Sequence, residues 1–185
     1  MKKIVILFSG EGSNAQNIIE QLHNKKCQVI CGITNKKDAK GLQRLKQLSI
    51  PTKILEHTDF NSREAFDEKL VKLINSYEPD LVVLSGFMRI LTDVFTSNIK
   101  AINLHPSLLP KFKGSMAIER SFESEDKVCG VSVHHVNAEL DGGDIILQQS
   151  FEKSEDETFE SFSAKIKEIE FEIMPKAIVK VLEKA

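Results

Sequence analysis

The chain has 185 residues, with 25 Lys and Arg against 27 Asp and Glu, a formal net charge of −2. A hydrophobic share of 41 % excludes a disordered chain, and 9 Gly with 5 Pro exclude collagen-like, linker-rich and many-turned all-β designs. The balanced charge leaves no electrostatic footprint for nucleic acid or an anionic membrane, and no apolar run approaches the ~18 residues of a membrane span.

Ile4–Phe8 is a continuous apolar run, as expected of a parallel strand covered on both faces. It follows Met1-Lys2-Lys3 like a signal peptide but is too short for one, and it stops at Ser9-Gly10-Glu11. Asn14–Asn24 reads as a helix with Ile18, Ile19 and Leu22 on one side. Val29–Ile33 is the second strand. Cys27 and Cys31, on either side of Val29, read as buried structural thiols of that strand. With Cys129 the cysteines are odd in number and form no C-x-x-C pair, which predicts a reducing, cytoplasmic setting without a disulfide framework.

Asp38–Leu48 is helical through Leu42, Leu45 and Leu48, and Thr52–Leu55 is the third strand. Asn61–Tyr77 keeps Phe66, Leu70, Leu73, Ile74 and Tyr77 at helical spacing. Leu81–Leu84 and Ala101–Leu104 are the fourth and fifth strands. The alternation predicts an α/β fold: one wound, mostly parallel sheet with helices on both faces. After residue 105 the pattern changes. Gly130–Val136 and Ile145–Phe151 flank Glu139-Leu140-Asp141-Gly142-Gly143 with no helix between them, so they should pair antiparallel at one side of the sheet. Phe159, Phe162, Ile166, Ile169 and Ile173 predict a long C-terminal helix that Pro175 should kink or break before Ile178–Leu182. With no repeat or linker, residues 1–185 read as one domain.

Four segments carry chemistry. Ser9-Gly10-Glu11-Gly12-Ser13-Asn14 joins the first strand to the first helix. Free N–H groups at that helix start suit phosphate; the alternative is a glycine turn with a Ser/Asn cap. A dinucleotide site would need an acid after strand two, and Thr34-Asn35-Lys36-Lys37 has none. Asn103 and His105, two apart at a strand's carboxyl end, share one face. An amide can stabilise an oxyanion and an imidazole can move a proton, which suits acyl transfer. Asp141-Gly142-Gly143 is either a turn or a carboxylate that meets His105 and raises its pKa. Gly86-Phe87-Met88-Arg89-Ile90-Leu91 offers an apolar wall and one cation. His134 and His135 point to opposite faces of a strand and cannot hold one metal together, and no zinc spacing is present. No metal is expected.

These motifs, together with Asn103-Leu104-His105-Pro106-Ser107-Leu108-Leu109-Pro110, resemble the phosphoribosylglycinamide formyltransferases of purine (IMP) biosynthesis. The resemblance runs from Ile4 to about Ile178. It implies transfer of a formyl group from 10-formyltetrahydrofolate, as co-substrate, to the amine of glycinamide ribonucleotide, directly and through a tetrahedral intermediate. Asn103, His105 and Asp141 match the family's catalytic trio. Gly12, Ser13, Asn14, Pro106, Lys167 and Glu170 match positions that hold the ribonucleotide. Arg63, Met88, Arg89, Ile90, Leu91 and Asn103 match folate-binding positions, as does the loop Asn137, Ala138, Glu139, Leu140 and Asp141. Met116 and Ile118 stand where the family usually has histidines. Methionyl-tRNA formyltransferases add a C-terminal domain and formyltetrahydrofolate deformylases an N-terminal one; the length predicts neither. A homodimer is compatible with the sequence, and small molecules are the expected partners.

Overall fold

A computed structural model describes residues 1–185. Its strands are β1 (Lys3–Phe8), β2 (Gln28–Thr34), β3 (Thr52–Ile54), β4 (Leu81–Leu84), β5 (Ala101–His105), β6 (Val128–His135) and β7 (Ile145–Glu152). They form one seven-stranded sheet in the order β3-β2-β1-β4-β5-β6-β7. The first five are parallel to one another. β6 pairs antiparallel with both β5 and β7, and no crossover helix separates β6 from β7.

The helices are α1 (Ser13–Leu22), α2 (Gly41–Gln47), α3 (Arg63–Asn75), α4 (Asp93–Thr96), α5 (Ala117–Glu123) and α6 (Phe159–Glu183). Strand β1 explains why its sequence does not alternate. Ile4, Ile6 and Phe8 face a core with α1, α2 and α6, while Val5 and Leu7 face a second core with α3 and α4. Both faces are covered, so every position must be apolar. All three cysteines are buried and free.

The short helices α4 and α5 escape the sequence reading: α4 is a single turn, and α5 carries only Ile118 and Phe122 at helical spacing on the core. Of the kink or break expected at Pro175, no break occurs: α6 runs from Phe159 to Glu183 with Pro175 inside it. Met174, Pro175, Ala177 and Ile178 are all buried there. Packing on both sides of the missing N–H holds a helix that local propensity alone would end.

The connections position the site. From β1 the chain steps outward through β2 and β3, then returns to place β4 on the other side of β1. The order therefore reverses between β1 and β4, and the crevice beyond their carboxyl ends is where wound sheets bind ligands. That rim is stitched together. Ser9 N donates to the Gly86 carbonyl at 3.0 Å, and Met88 N donates to Ser9 Oγ at 2.7 Å. Ser9 Oγ in turn donates to Asn35 Oδ1.

Candidate active site

Strand geometry builds the centre of the site. Asn103 and His105 lie two apart on β5, and the antiparallel register sets Asn103 opposite His134 and His105 opposite Ser132. The β6–β7 loop then brings Asp141 over them. Its Oδ2 lies 3.5 Å from His105 Nδ1, and its Oδ1 lies 3.5 Å from both His134 Nε2 and Asn103 Nδ2. Gly114 N also donates to Asp141 Oδ2 at 2.8 Å. Both readings of the Asp-Gly-Gly segment hold at once. Asp141 is a turn residue at φ 52°, and it is the carboxylate that meets His105. A Cβ on Gly143 would fall 1.7 Å from the His135 carbonyl oxygen, so only glycine lets this loop close down.

The hydrogen bonds set the tautomers. His105 Nε2 lies 2.8 Å from the Phe112 carbonyl, which can only accept, so Nε2 carries the proton. Its Nδ1 is left facing Asp141. His134 Nδ1 donates likewise to the His135 carbonyl at 2.8 Å. Its Nε2 lone pair then accepts from Asn103 Nδ2 at 3.3 Å, which orients the amide.

Electrostatics corrects one expectation. Burial pushes the His105 imidazole below the usual histidine value, although the Phe112 carbonyl and the Asp141 carboxylate both pull it up. Without substrate, His105 is therefore biased toward its neutral form rather than held charged. For Asp141, burial acts to raise the pKa. The His134 side chain beside it, the hydrogen bond from the Gly114 N–H and the neighbouring His105 outweigh burial and hold the carboxyl below its ordinary range.

His134 is the residue that sequence reasoning missed. It is buried and touches both Asn103 and Asp141. Considering it only as half of a metal pair hid its strand position opposite Asn103.

The loop after β1 lies beside this cluster. Gly12 caps α1 at φ 71°, no side chain caps the helix, and its first turn carries no acid. Ser13 and Asn14 open the helix, half-buried. Asn14 Nδ2 donates to Glu170 Oε2 at 2.9 Å, which ties α1 to α6. Burial raises the Glu170 carboxyl, with Asn14 and Lys167 opposing. Exposed Lys167 is near enough to help lower the Glu11 carboxyl, after Lys40 and Arg44. Gly12 has a second role besides an open backbone. A Cβ there would lie 2.4 Å from Gly41 Cα, so any side chain displaces α2 before it meets a ligand.

The segment after β4 presents an apolar face to solvent. Met88 is 70 % exposed, Ile90 52 %, and Leu140 from the opposite loop 49 %. Leu91 and Pro106 are half-buried. Arg89 stacks over the Phe66 ring at 4.9 Å, and its buried Nε has no partner. Arg63 is exposed at the start of α3, one turn before Phe66. Asn137 Oδ1 accepts from Glu139 N at 2.9 Å, and Glu139 pairs with Lys113 at 2.7 Å. Ala138 is exposed between them.

Similarity to known proteins agrees with this geometry. The formyl transferase family model matches residues 2–178. The phosphoribosylglycinamide formyltransferase of Haemophilus influenzae is 40 % identical over 182 residues, covering 96 % of this chain and 86 % of that protein. The Escherichia coli enzyme of the same name is 42 % identical over 179 residues, covering 95 % and 84 %. A crystal structure of phosphoribosylglycinamide formyltransferase from Campylobacter jejuni matches with a TM-score of 0.95 and 51 % identity, covering 98 % of this chain and 97 % of that one. With its carboxylate, imidazole and amide gathered at the carboxyl end of β5, the chain belongs to the phosphoribosylglycinamide formyltransferase family.

Proposed function

We propose that this chain, as one formyltransferase domain over residues 1–185, moves the formyl group of 10-formyltetrahydrofolate onto the amine of glycinamide ribonucleotide. One observation carries the reading: Asp141 stands within 3.5 Å of Asn103, His105 and His134 at the carboxyl end of β5. That group can stabilise an oxyanion and move one proton, and it contains no serine or cysteine nucleophile. Direct transfer is the chemistry it supports.

The residues around it suit the two substrates. Met88, Ile90 and Leu140 give a flat heterocycle apolar contact, Leu91 backs them, and Arg89 and Arg63 supply cations for the folate's acidic tail. Asn137, Ala138 and Glu139 complete the loop that carries Asp141. The start of α1 at Gly12, Ser13 and Asn14, with Lys167 close by, suits a phosphate. Glu170 can accept ribose hydroxyls, and Pro106 stiffens the chain leaving His105.

In the reaction the amine attacks the formyl carbon and a C–N bond forms. Asn103 donates to the oxygen that gains charge. That charge favours protonation of His105, which starts out biased to neutral. The His105–Asp141 pair takes the proton released by the amine and returns it to the departing folate nitrogen as the old C–N bond breaks. His134 holds Asn103 and Asp141 in register. No charge or proton is left over.

Acceptor dependence tests the reading. The purified protein should consume 10-formyltetrahydrofolate only when glycinamide ribonucleotide is present. Equal consumption without the acceptor would assign the site to hydrolysis instead.

A further inference from the structure

The segment Phe112–Met116 touches both members of the proton-transfer pair. Its Phe112 carbonyl accepts from His105 Nε2, and its Gly114 N–H donates to Asp141. Its backbone is unusual. Phe112 at φ 57°, Gly114 at 82° and Met116 at 58° are all left-handed. Two of the three carry side chains, which rarely adopt that conformation, so something must hold the segment there.

The neighbouring side chains divide clearly. Met116 is 63 % exposed, and Ile118 packs against the core, so neither gives the loop a polar contact. The Lys113–Glu139 pair is solvent-exposed, and such pairs hold little. Arg120, although itself exposed, bonds the backbone of the segment rather than another side chain. Its Nε donates to the Ser115 carbonyl at 3.0 Å, and its Nη2 donates to the Lys113 carbonyl. Those carbonyls flank Gly114. The guanidinium also sits 5.9 Å from the Phe112 ring centroid. Its own base is anchored, because Lys153 Nζ donates to the Ser121, Phe122 and Ser124 carbonyls at the end of α5.

We infer that Arg120 is a positioning residue for the formyl transfer. Its planar fork grips the two peptide carbonyls around Gly114, and so aims the Phe112 carbonyl at His105 and the Gly114 N–H at Asp141. It touches neither substrate. The inference rests on the roles proposed for His105 and Asp141.

The fork, not the charge, is what this role requires, since a lysine ammonium is a point donor that lacks the rigid geometry. Arg120→Gln and Arg120→Lys should therefore both lower kcat, by about 10²-fold if the pair shifts by about an ångström. KM for glycinamide ribonucleotide should stay unchanged, because the α1 start is untouched. Added guanidinium should restore part of the turnover of Arg120→Ala. In the free protein, the slowly exchanging imidazole N–H proton signal of His105 should broaden in Arg120→Gln, with folding checked by melting temperature. Wild-type kcat in Arg120→Lys would overturn the inference, as would a sharp, unshifted His105 signal in Arg120→Gln. Asp141→Asn, measured alongside, separates the two layers. If it is inactive while Arg120→Gln is fully active, only the role of Arg120 falls. If it is fully active, the proposed roles beneath it fall.

Discussion

Asp141→Asn is expected to give a folded protein whose turnover falls by about 10²–10⁴-fold, the usual contribution of a positioned acid–base group. Asparagine tolerates the left-handed backbone at this turn, so the loop itself should survive. What it removes is the charge 3.5 Å from His105 Nδ1. The sign of the pH effect follows. The Asp141 carboxylate raises the proton affinity of His105 against the effect of burial. Without it, the imidazolium is lost at a still lower pH, and the kcat limb that reports His105 moves toward acid. Stability responds in the same framework. The Asp141 carboxyl is depressed in the folded state, so it contributes stability above its ordinary value that disappears as pH falls through the folded value. Wild type and variant should therefore differ in melting temperature at neutral pH and converge in acid. A variant with undiminished turnover and an unshifted profile would reduce Asp141 to a turn residue.

Asn103→Ala should cost about 10²–10³-fold in kcat, the loss measured when one oxyanion donor is removed from an acyl-transfer site. Binding of the ribonucleotide should change little, because Asn103 lies on β5 and the proposed phosphate contacts lie on α1. The variant also deprives His134 Nε2 of its donor at 3.3 Å. Asn103 is only half-buried, so water can take that place and the fold should hold. Steady-state kinetics with both substrates varied checks this. A loss confined to KM would make Asn103 a binding group rather than a transition-state donor.

Much of the scaffold was legible in the sequence because β1 and β4 are continuous apolar runs and α3 keeps a helical period. Ile4–Phe8 announces a strand buried on both faces, and Phe66-Leu70-Ile74 announces one helix stripe. The antiparallel pair was legible for a different reason, since no crossover helix separates β6 from β7. Helices α4 and α5 were not legible: α4 has four residues, and α5 offers only Ile118 and Phe122 as a spaced apolar pair. Pro175 does not end α6, because the burial around it offsets proline's local cost.

The site divides in the same way. Asn103 and His105 follow from period-two geometry on a recognised strand end. Asp141 could be named, but its approach to His105 depends on how tightly Gly143 lets the loop close. His134 depends on the β5–β6 register, which no single-strand pattern specifies. The bias of His105 toward neutrality depends on burial, and counting only its carboxylate neighbour gives the wrong sign.

The central claim is direct transfer by a proton-moving cluster with no covalent enzyme intermediate. A rapid-quench single turnover, with the formyl carbon of 10-formyltetrahydrofolate labelled, tests it most directly. The label should pass from the folate to the amine of glycinamide ribonucleotide with none on the protein at any time and none released as formate. Label bound to the protein during the turnover, or formate released in place of formylated ribonucleotide, would contradict it.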